Sequence, residues 1–343
     1  NALANDSSLA NIHFLYYDIP SWMFYKNEMQ SNWGEQINYL LWQWLVRKFV
    51  RKMNKIYHFD IFHHLTFNQY RTPSPGFWLD IPFVMGPIGG AECIAPAFWE
   101  DLEPNTVKKE GIRQKGKDLK IFKWFNTRKK NNKVVLCSCN ENLKRLKPYG
   151  NKSRLELMPA IAFDKKDFAD IPQNETLDTF EMIYAGKAWD WKGIHIFLKA
   201  AKVALMDKLS ANKQNWSIKL IGIRFEEEQK KVMGWVDELG LQNHVTLIPF
   251  IQRSELLKIL ANCSLSVYPA FRDSGSMSVL EACALGCPSI CFNAGGQDVF
   301  SDKILLKIDV ADSYSETMNR FSEKLFWAYE HPQELKEIGQ KAK

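Results

Sequence analysis

Short apolar runs alternate with longer amphipathic stretches along most of the chain, and this alternation predicts strands followed by helices. Such an order is typical of parallel sheets that are covered by helices on both faces. The predicted strands are Ile12–Tyr16, Asp60–His64, Pro82–Gly86, Val134–Ser138, Leu155–Leu157, Phe180–Ala185, Ser217–Ile221, Val245–Pro249, Leu265–Tyr268 and Ser289–Phe292. The clearest predicted helices, all in the second half, cover 193–208, 226–240, 253–262 and 276–286.

A polar stretch at Ala169–Asp178 interrupts the alternation and predicts a linker. With 343 residues the chain is too long for one ordinary core. The sequence therefore predicts an α/β protein with two domains, residues 1–170 and 171–343. Two such domains enclose a cleft at the carboxyl ends of their strands, where parallel sheets bind ligands.

Composition fits a globular protein, since 46% of the residues are hydrophobic and 24% are charged. The strongly apolar stretch Tyr39–Val46 is much shorter than the roughly 20 residues of a membrane span. No signal-peptide pattern opens the chain, so the expectation is a soluble or peripheral protein. The segment Trp33–Trp44 predicts an amphipathic helix that buries its aromatic side chains.

The seven cysteines cannot all pair with one another, which favours a reducing cytoplasm. Cys283, Cys287 and Cys291 recur every four residues, as metal ligands on one helical face would. Pro288 ends that helix near Gly286, so the alignment is lost. We interpret these cysteines as buried small hydrophobic residues and expect no metal site.

The net charge of +6 is unevenly distributed. The basic segment, residues 108–133, has eleven Lys or Arg and two acids, a sum of +9, which leaves −3 for the rest. It also contains Ile121, Phe122, Trp124 and Phe125. Basic charge with exposed aromatics suits an anionic membrane surface, whereas the alternative is a solvated helix with its aromatics in the core. Nucleic acid is disfavoured, because the segment lacks a nucleic-acid-binding motif.

The most informative motif runs from Tyr268 to Pro288, where a strand, a small-residue loop and a helix follow one another. The helix should begin near Ser276, so the backbone N–H groups of Gly275–Ser278 could bind a phosphate oxygen. Asp273 precedes the helix and Glu281 lies in its second turn, roughly 8 Å further along. A diphosphate at the helix tip would then have a carboxylate towards each end. The alternative makes Asp273 a capping residue and Glu281 a solvated helix residue.

A second motif, Gly186-Lys187 through Lys192, lies between a strand end and a helix. Two lysines five positions apart in such a loop can converge on one anion, and Gly186 permits close approach of the backbone. A departing nucleoside diphosphate requires positive charge of this kind. The alternative is a pair of exposed surface lysines.

Together and in this order, the two motifs resemble the retaining glycosyltransferases of family 4, whose GT-B architecture has two facing Rossmann-like domains. One hallmark of that family is an acidic residue, seven further residues and a glutamate, here Asp273 and Glu281. The other is Gly-Arg, several residues and Lys-Gly, here Gly186-Lys187 and Lys192-Gly193. The resemblance extends over nearly all of residues 180–300.

Further matches surround these hallmarks. Gly222, Phe250 and Ile251 are similar to the family's strand ends that line the nucleotide pocket, and Gly295-Gly296 matches its usual glycine pair. In the first half, His64 resembles a residue facing the interdomain cleft, the alternative being a core or capping histidine. Gly86, Gly89 and Gly90 resemble a loop that approaches the donor diphosphate or the acceptor, although the last two could equally serve a tight turn.

The sequence departs from the family in three respects. Asp273 stands where a glutamate is usual, and Lys187 replaces an arginine, so a point charge replaces a planar fork. Both changes keep the sign of the charge and predict tuning of the site rather than its loss. The family's first strand, first glycine-rich loop and final crossing helix find no match here, so we expect a fragment.

The resemblance implies transfer of a sugar from a nucleoside diphosphate sugar to a hydroxyl of a glycan or lipid-linked saccharide, in polysaccharide biosynthesis. It implies retained anomeric configuration, a first domain that binds the acceptor, and no metal or other cofactor. The sequence also has no Asp-x-Asp triplet, in agreement with metal independence.

In the roles that the resemblance implies, Lys187 and Lys192 hold the diphosphate, Glu281 binds ribose and Asp273 binds the transferred sugar. The amides of Ser276 and Met277 bind a phosphate oxygen. The main alternative is a non-catalytic nucleotide-sugar-binding protein or partner subunit of the same fold. A dehydrogenase is disfavoured, because no Gly-x-Gly-x-x-Gly opens a helix after a strand.

Overall fold

The computed structural model describes residues 11–23, 32–65, 67, 69–117, 119–128, 133–150, 153–172, 179–209 and 215–343. Residues 173–178 of the predicted linker, and 118 and 129–132 of the basic segment, lie outside these ranges. The α-helices within them are α1 (Asn32–Tyr57), α2 (Pro104–Gln114), α3 (Leu119–Arg128), α4 (Asn140–Leu146), α5 (Ile194–Ala201), α6 (Glu226–Glu238), α7 (Arg253–Ala261), α8 (Met277–Ala284), α9 (Tyr314–Glu330) and α10 (Pro332–Ala342). None of these helices combines the length and the apolarity needed to cross a bilayer.

The first sheet has four parallel strands in the order β1-β2-β3-β4. Phe83, Met85 and Val135 point into a core that they share with Phe122 of α3 and Leu146 of α4. The strands are β1 (Phe62–His64), β2 (Phe83–Ile88), β3 (Lys133–Cys137) and β4 (Arg154–Leu157).

The second sheet has six parallel strands in the order β10-β9-β8-β5-β6-β7. The chain proceeds outward from β5 to β7, then returns to the other side of β5 and continues from β8 to β10. The reversal between β5 and β8 is a topological switch point, where such sheets form a crevice outside the carboxyl ends of their strands. The strands are β5 (Phe180–Ala185), β6 (Trp216–Ile221), β7 (Val245–Ile248), β8 (Leu265–Tyr268), β9 (Ser289–Phe292) and β10 (Leu306–Ile308).

The strand predicted at Ile12–Tyr16 does not form, and that prediction was wrong. These residues are in no strand, and Ile12 and Tyr16 are 51% and 79% exposed. An apolar run becomes a strand only where a neighbour receives its backbone hydrogen bonds. The described strand nearest in sequence is β1, and it pairs only with β2. Within the described residues, Ile12–Tyr16 therefore has no strand partner for its backbone.

The helix predicted at Trp33–Trp44 forms as part of α1, but it does not bury all of its aromatics. Tyr39, Gln43 and Val46 make up its buried face, whereas Trp44 is 57% exposed. Trp44 follows Tyr39 by five positions and therefore lies off that face.

A segment of the first half packs into the core of the second. Ile94, Phe98 and Leu102, around a 3-10 helix at Pro96–Asp101, are buried among the side chains that cover the second sheet. The ring of Phe98 stacks on Phe271 with centroids 4.0 Å apart. The division at residue 170 stays a prediction, because the apolar core crosses it.

The cysteines singled out in the sequence lie in apolar surroundings. Cys283, Cys287 and Cys291 are all buried among hydrophobic residues. Cys287 lies beside another buried thiol, Cys263, with the two sulfurs 3.2 Å apart. These contacts favour the interpretation as buried small hydrophobic residues.

Candidate functional site

The two sequence motifs leave neighbouring strands at the same edge of the second sheet. β5 ends at Ala185 and is followed by Gly186 and Lys187, and β8 ends at Tyr268 and is followed by the loop that contains Asp273. Since β5 pairs directly with β8, both loops open at the switch point. The topology thus brings the motifs together where a parallel sheet binds ligands.

A glycine brings Lys192 against the loop after β8. The 3-10 helix Asp190–Lys192 ends at Gly193, whose φ is 72°. A Cβ atom there would lie 2.0 Å from the carbonyl oxygen of Pro269. Only glycine accommodates both the left-handed conformation and this approach.

Lys192, Tyr268 and Asp273 form a hydrogen-bonded group that we call the lysine cluster. The Nζ of Lys192 lies 2.5 Å from Oδ2 of Asp273 and 3.0 Å from the Tyr268 hydroxyl. That hydroxyl also donates to Asp273. Burial and the nearby Asp273 carboxylate raise the pKa of Tyr268 well above its usual range, which keeps the phenol protonated as a donor. The side chains of Lys192 and Asp273 are 15% and 21% exposed, so a ligand in the crevice can reach them.

Helix α8 begins only four residues after Asp273 of the lysine cluster. Ser276 precedes the helix and Met277 is its first residue. The first N–H groups of a helix have no intrahelical acceptor and carry partial positive charge. Ser276 is buried, and within the described residues its hydroxyl has no hydrogen-bond partner. Ser278 Oγ donates to the carbonyl of Ala185 at 3.1 Å, which fixes α8 against the end of β5.

A cavity of about 540 Å³ opens beside the end of β5. Lys187 lies on its wall, with Nζ 4.3 Å from the centre of the Trp189 ring. Arg224 lies 4.3 Å from the ring of Phe250, which is half exposed. The predicted site residues among its lining are Gly186, Lys187, Gly222, Phe250, Ile251 and Ser278.

Glu281 is neither solvated nor isolated. It is 6% exposed, and Oε1 accepts a hydrogen bond from Nε of Arg253 at 2.8 Å. Arg253 begins α7, lines the cavity and also lies 3.4 Å from Asp167. The pairing neutralises a buried carboxylate at the cavity. Sequence reasoning missed Arg253, and the only signal was its position just after Phe250-Ile251.

Glycines hold the backbone of these loops close together. Gly222 has a φ of 96°, and a Cβ atom on it would lie 3.1 Å from the carbonyl oxygen of Gly186. Behind Asp273, the N–H of Gly296 donates to the Asp273 carbonyl at 2.6 Å. A Cβ on Gly295 would lie 2.5 Å from the same oxygen. The predicted glycine pair, Gly295 and Gly296, therefore packs directly against the backbone of Asp273.

Two of the three predicted first-half glycines have left-handed backbone. Gly86 and Gly90 have φ of 116° and 88°. Gly89 approaches the second half so closely that a Cβ on it would lie 2.2 Å from Oγ of Ser274. The loop thus reaches the residue after Asp273, and its approach to a donor diphosphate or an acceptor stays a prediction.

His64 occupies a different environment from the one expected. It is buried, and Nε2 lies 3.1 Å from the hydroxyl of Tyr39 on α1. Its neighbour His63 has Nε2 2.8 Å from the carbonyl of Gly86. These contacts favour the alternative of a core histidine over a residue that lines the cleft.

The lysines have different neighbours. Lys192 is paired with Asp273, whereas Lys187 lies over Trp189 in the cavity. Their joint hold on one diphosphate stays a prediction. The structure does unite Lys192 with Asp273. It also places Gly186, Lys187, Gly222, Phe250, Ile251 and Ser278 around one cavity with Arg253, which in turn contacts Glu281.

The sequence model of the family described as "Glycosyl transferases group 1" matches residues 165–342, which is just over half of the chain. Among curated proteins, the chain is similar to the D-inositol 3-phosphate glycosyltransferase of Paenarthrobacter aurescens (strain TC1), with 26% identity over 119 residues. That match covers 35% of this chain and 28% of the relative, so the chain corresponds to less than a third of that protein's length.

Among solved structures, similar chains include the sucrose-phosphate synthase of Thermosynechococcus elongatus, with a TM-score of 0.56 and 16% identity over 88% of this chain and 74% of that one. Anabaena HepE, solved in complex with UDP, has a TM-score of 0.58 and 15% identity over 85% and 75% of the two chains. At such identities the likeness concerns the fold, which is GT-B. The family match over residues 165–342 establishes that the chain belongs to the group 1 glycosyl transferases.

Proposed function

We propose that this protein transfers a sugar from a nucleoside diphosphate sugar to a hydroxyl group, with retention of the anomeric configuration and without a metal ion. The acceptor class that we propose is a glycan or lipid-linked saccharide. The observation that carries the proposal is the lysine cluster, which lies at the switch point between β5 and β8 and directly precedes the amino-terminal end of α8.

In this proposal the diphosphate binds to Lys187, Lys192 and the first amides of α8, including those of Ser276 and Met277. Breaking the glycosidic bond leaves negative charge on the nucleoside diphosphate, and positive groups already in place stabilise that charge. Lys192 is paired with Asp273 at 2.5 Å. A bound diphosphate offers Lys192 a second anionic partner, which leaves the Asp273 carboxylate able to accept hydrogen bonds from the hydroxyls of the transferred sugar.

The nucleoside would occupy the cavity beside β5. Glu281 is oriented by Arg253 at 2.8 Å, and its carboxylate suits the paired hydroxyls of a ribose. Phe250, half exposed beside Arg224, offers a flat surface for a base. Among the similar structures, Anabaena HepE is described as a complex with UDP, which supports a nucleoside diphosphate as the ligand class here.

A thermal-shift panel of UDP, GDP, ADP and their sugars tests this function. A ligand with micromolar Kd at millimolar concentration adds about 4 kcal/mol to the free energy of unfolding. We expect one nucleotide series to stabilise the protein and its sugar to be hydrolysed slowly, with both effects reduced in Lys192→Ala. Stabilisation without turnover over many acceptors would favour the alternative, a nucleotide-sugar-binding protein without catalysis. No stabilisation by any nucleotide would contradict both functions.

We also propose that the basic segment contacts anionic membranes on the cytoplasmic side. One observation on the described residues of this segment supports membrane contact. Ile121 and Trp124 on α3 are 45% and 52% exposed and lie among lysines. Phe122 is instead buried in the core, as the solvated-helix alternative requires. Flotation with vesicles that contain anionic lipid should carry the protein upward in a salt-sensitive manner. Equal flotation with neutral vesicles, or none with either, would contradict the proposal.

A further inference from the structure

The loop that contains Asp273 is held on both sides by carboxylates from the first half of the chain. Arg272 donates to Oε1 of Glu110. Ser274 Oγ donates to Oε1 of Glu92 at 2.5 Å. The residues immediately before and after Asp273 are therefore fixed by the opposite half.

Both carboxylates are buried and are held by hydrogen bonds or an ion pair within the first half of the chain. Glu92 and Glu110 are each 1% exposed. Glu92 accepts from the N–H of Gly90 at 2.6 Å and from Nδ2 of Asn142 at 2.7 Å. Glu110 is paired with Arg113 at 3.1 Å. A buried charge is costly unless such partners satisfy it, and they also fix where each carboxylate points.

Two apolar or steric contacts strengthen the same junction. Phe271, two residues before Asp273, stacks on Phe98 of the first half at 4.0 Å. Gly89 approaches Ser274 so closely that no larger residue fits without a shift. The described contacts of the first half therefore include three of the four residues from Phe271 to Ser274.

We infer that Glu92 and Glu110 are positioning residues for sugar transfer, which set the orientation of Asp273 and complete the donor site only when the two halves are together. The inference rests on the proposed function. The nucleotide cavity and Lys187 belong to the second half alone, so neither carboxylate lines the part of the site proposed for the nucleoside. The orientation of Asp273 does depend on the two carboxylates. The step in which the sugar is transferred therefore depends on them as well.

The test compares Glu92→Gln, Ser274→Ala and their double variant with wild type, and Glu110→Gln tests the second carboxylate in the same way. We measure kcat and KM for hydrolysis of the NDP-sugar that stabilises the protein best, and Kd for the matching nucleoside diphosphate by calorimetry. Either single variant should lower kcat about tenfold to a hundredfold, the range for loss of one hydrogen bond to a charged group. The Kd should rise less than kcat falls, because the nucleoside binds in the second half alone. The double variant should be hardly worse than Ser274→Ala, because Ser274→Ala removes the contact that Glu92→Gln weakens by taking away the charge of the acceptor.

The matched control is Glu103→Gln, which removes an exposed ion pair between Glu103 and Lys231 that also joins the two halves. It should leave kcat and Kd unchanged. A kcat within about threefold of wild type in both single variants would overturn the inference, as would an equal loss in the control.

Hydrogen exchange separates a failure of this inference from a failure of the proposed function. In the unliganded protein, amides 270–276 should exchange faster in Glu92→Gln than in wild type or Glu103→Gln. Faster exchange in a protein that neither binds nor hydrolyses any NDP-sugar would sink the proposed function and leave the contact's role in loop order intact. Unchanged exchange would sink the positioning role even if the enzyme is active.

Discussion

Replacing Lys192 with methionine removes one ammonium group while it keeps most of the side-chain volume. Two contacts are lost, the 2.5 Å contact to Asp273 and the 3.0 Å contact to the Tyr268 hydroxyl. Asp273 keeps the hydrogen bond from Tyr268 but loses the ammonium group that contacts it. The substitution therefore isolates the charge of Lys192 from the shape of the site.

The two partners are mostly shielded, with side chains 15% and 21% exposed. Surface ion pairs contribute roughly 0–1 kcal/mol, whereas breaking a buried pair costs roughly 3–5 kcal/mol. An intermediate loss of about 1–3 kcal/mol in the free energy of unfolding follows. Catalysis should suffer more, because loss of one preorganised group that stabilises developing negative charge lowers kcat by about 10²–10³.

The assay is hydrolysis of the preferred NDP-sugar under saturating conditions, with urea unfolding in parallel. Lys199→Met is the matched control, since Lys199 also binds a carboxylate and a phenol, Asp101 at 2.9 Å and Tyr314 at 3.1 Å, away from the cavity. We expect similar losses of stability in both variants and a loss of kcat only in Lys192→Met. Similar kcat values in the two variants would refute a catalytic role for Lys192.

Three further substitutions can be tested by hydrolysis and by urea unfolding. Tyr268→Phe removes the donor to Asp273, so hydrolysis should slow about tenfold or more with the fold retained, and an unchanged rate would show that the hydroxyl is dispensable. Gly193→Ala places a Cβ 2.0 Å from the Pro269 carbonyl at a φ of 72°. Urea unfolding should show a loss of roughly 2 kcal/mol or more, together with weaker nucleotide binding, and full stability would contradict the contact. Burial raises the pKa of Glu141 from 4.5 to about 7, with Glu92 and Asp298 adding to the shift and the Cys93 amide and Arg145 opposing it. The folded protein thus binds a proton there that the unfolded chain has released. Stability should fall by up to about 3 kcal/mol as pH rises from about 4.5 to 7. Glu141→Gln should flatten that profile in urea titrations, and identical profiles would contradict the assignment.

The strands around the site could be predicted because of how they are buried. β5, β8 and β9 begin and end where the sequence predicts. A strand covered on both faces appears in the sequence as a mainly apolar run, so its ends are visible. The loops after β5 and β8 were recognisable for the same reason, since each polar motif begins where an apolar run stops.

The partners of the site residues could not be predicted, because they depend on contacts between distant segments. Tyr268 belongs to an apolar run that predicts only a buried strand, and its hydroxyl acquires a role only once Asp273 folds back onto it. Nothing in the sequence around Arg253 indicates a contact with Glu281, 28 positions later. Likewise, the apolar spacing around Phe98 predicts that this segment is buried. It does not indicate that the segment packs into the core of the second half.

The site itself is tested most directly by a crystal structure of the protein with the nucleoside diphosphate that stabilises it best. We expect the diphosphate to lie within hydrogen-bond distance of Lys192 and of the first amides of α8, with the ribose at Glu281. A diphosphate bound elsewhere, with Lys192 still paired only to Asp273 and Tyr268, would contradict it.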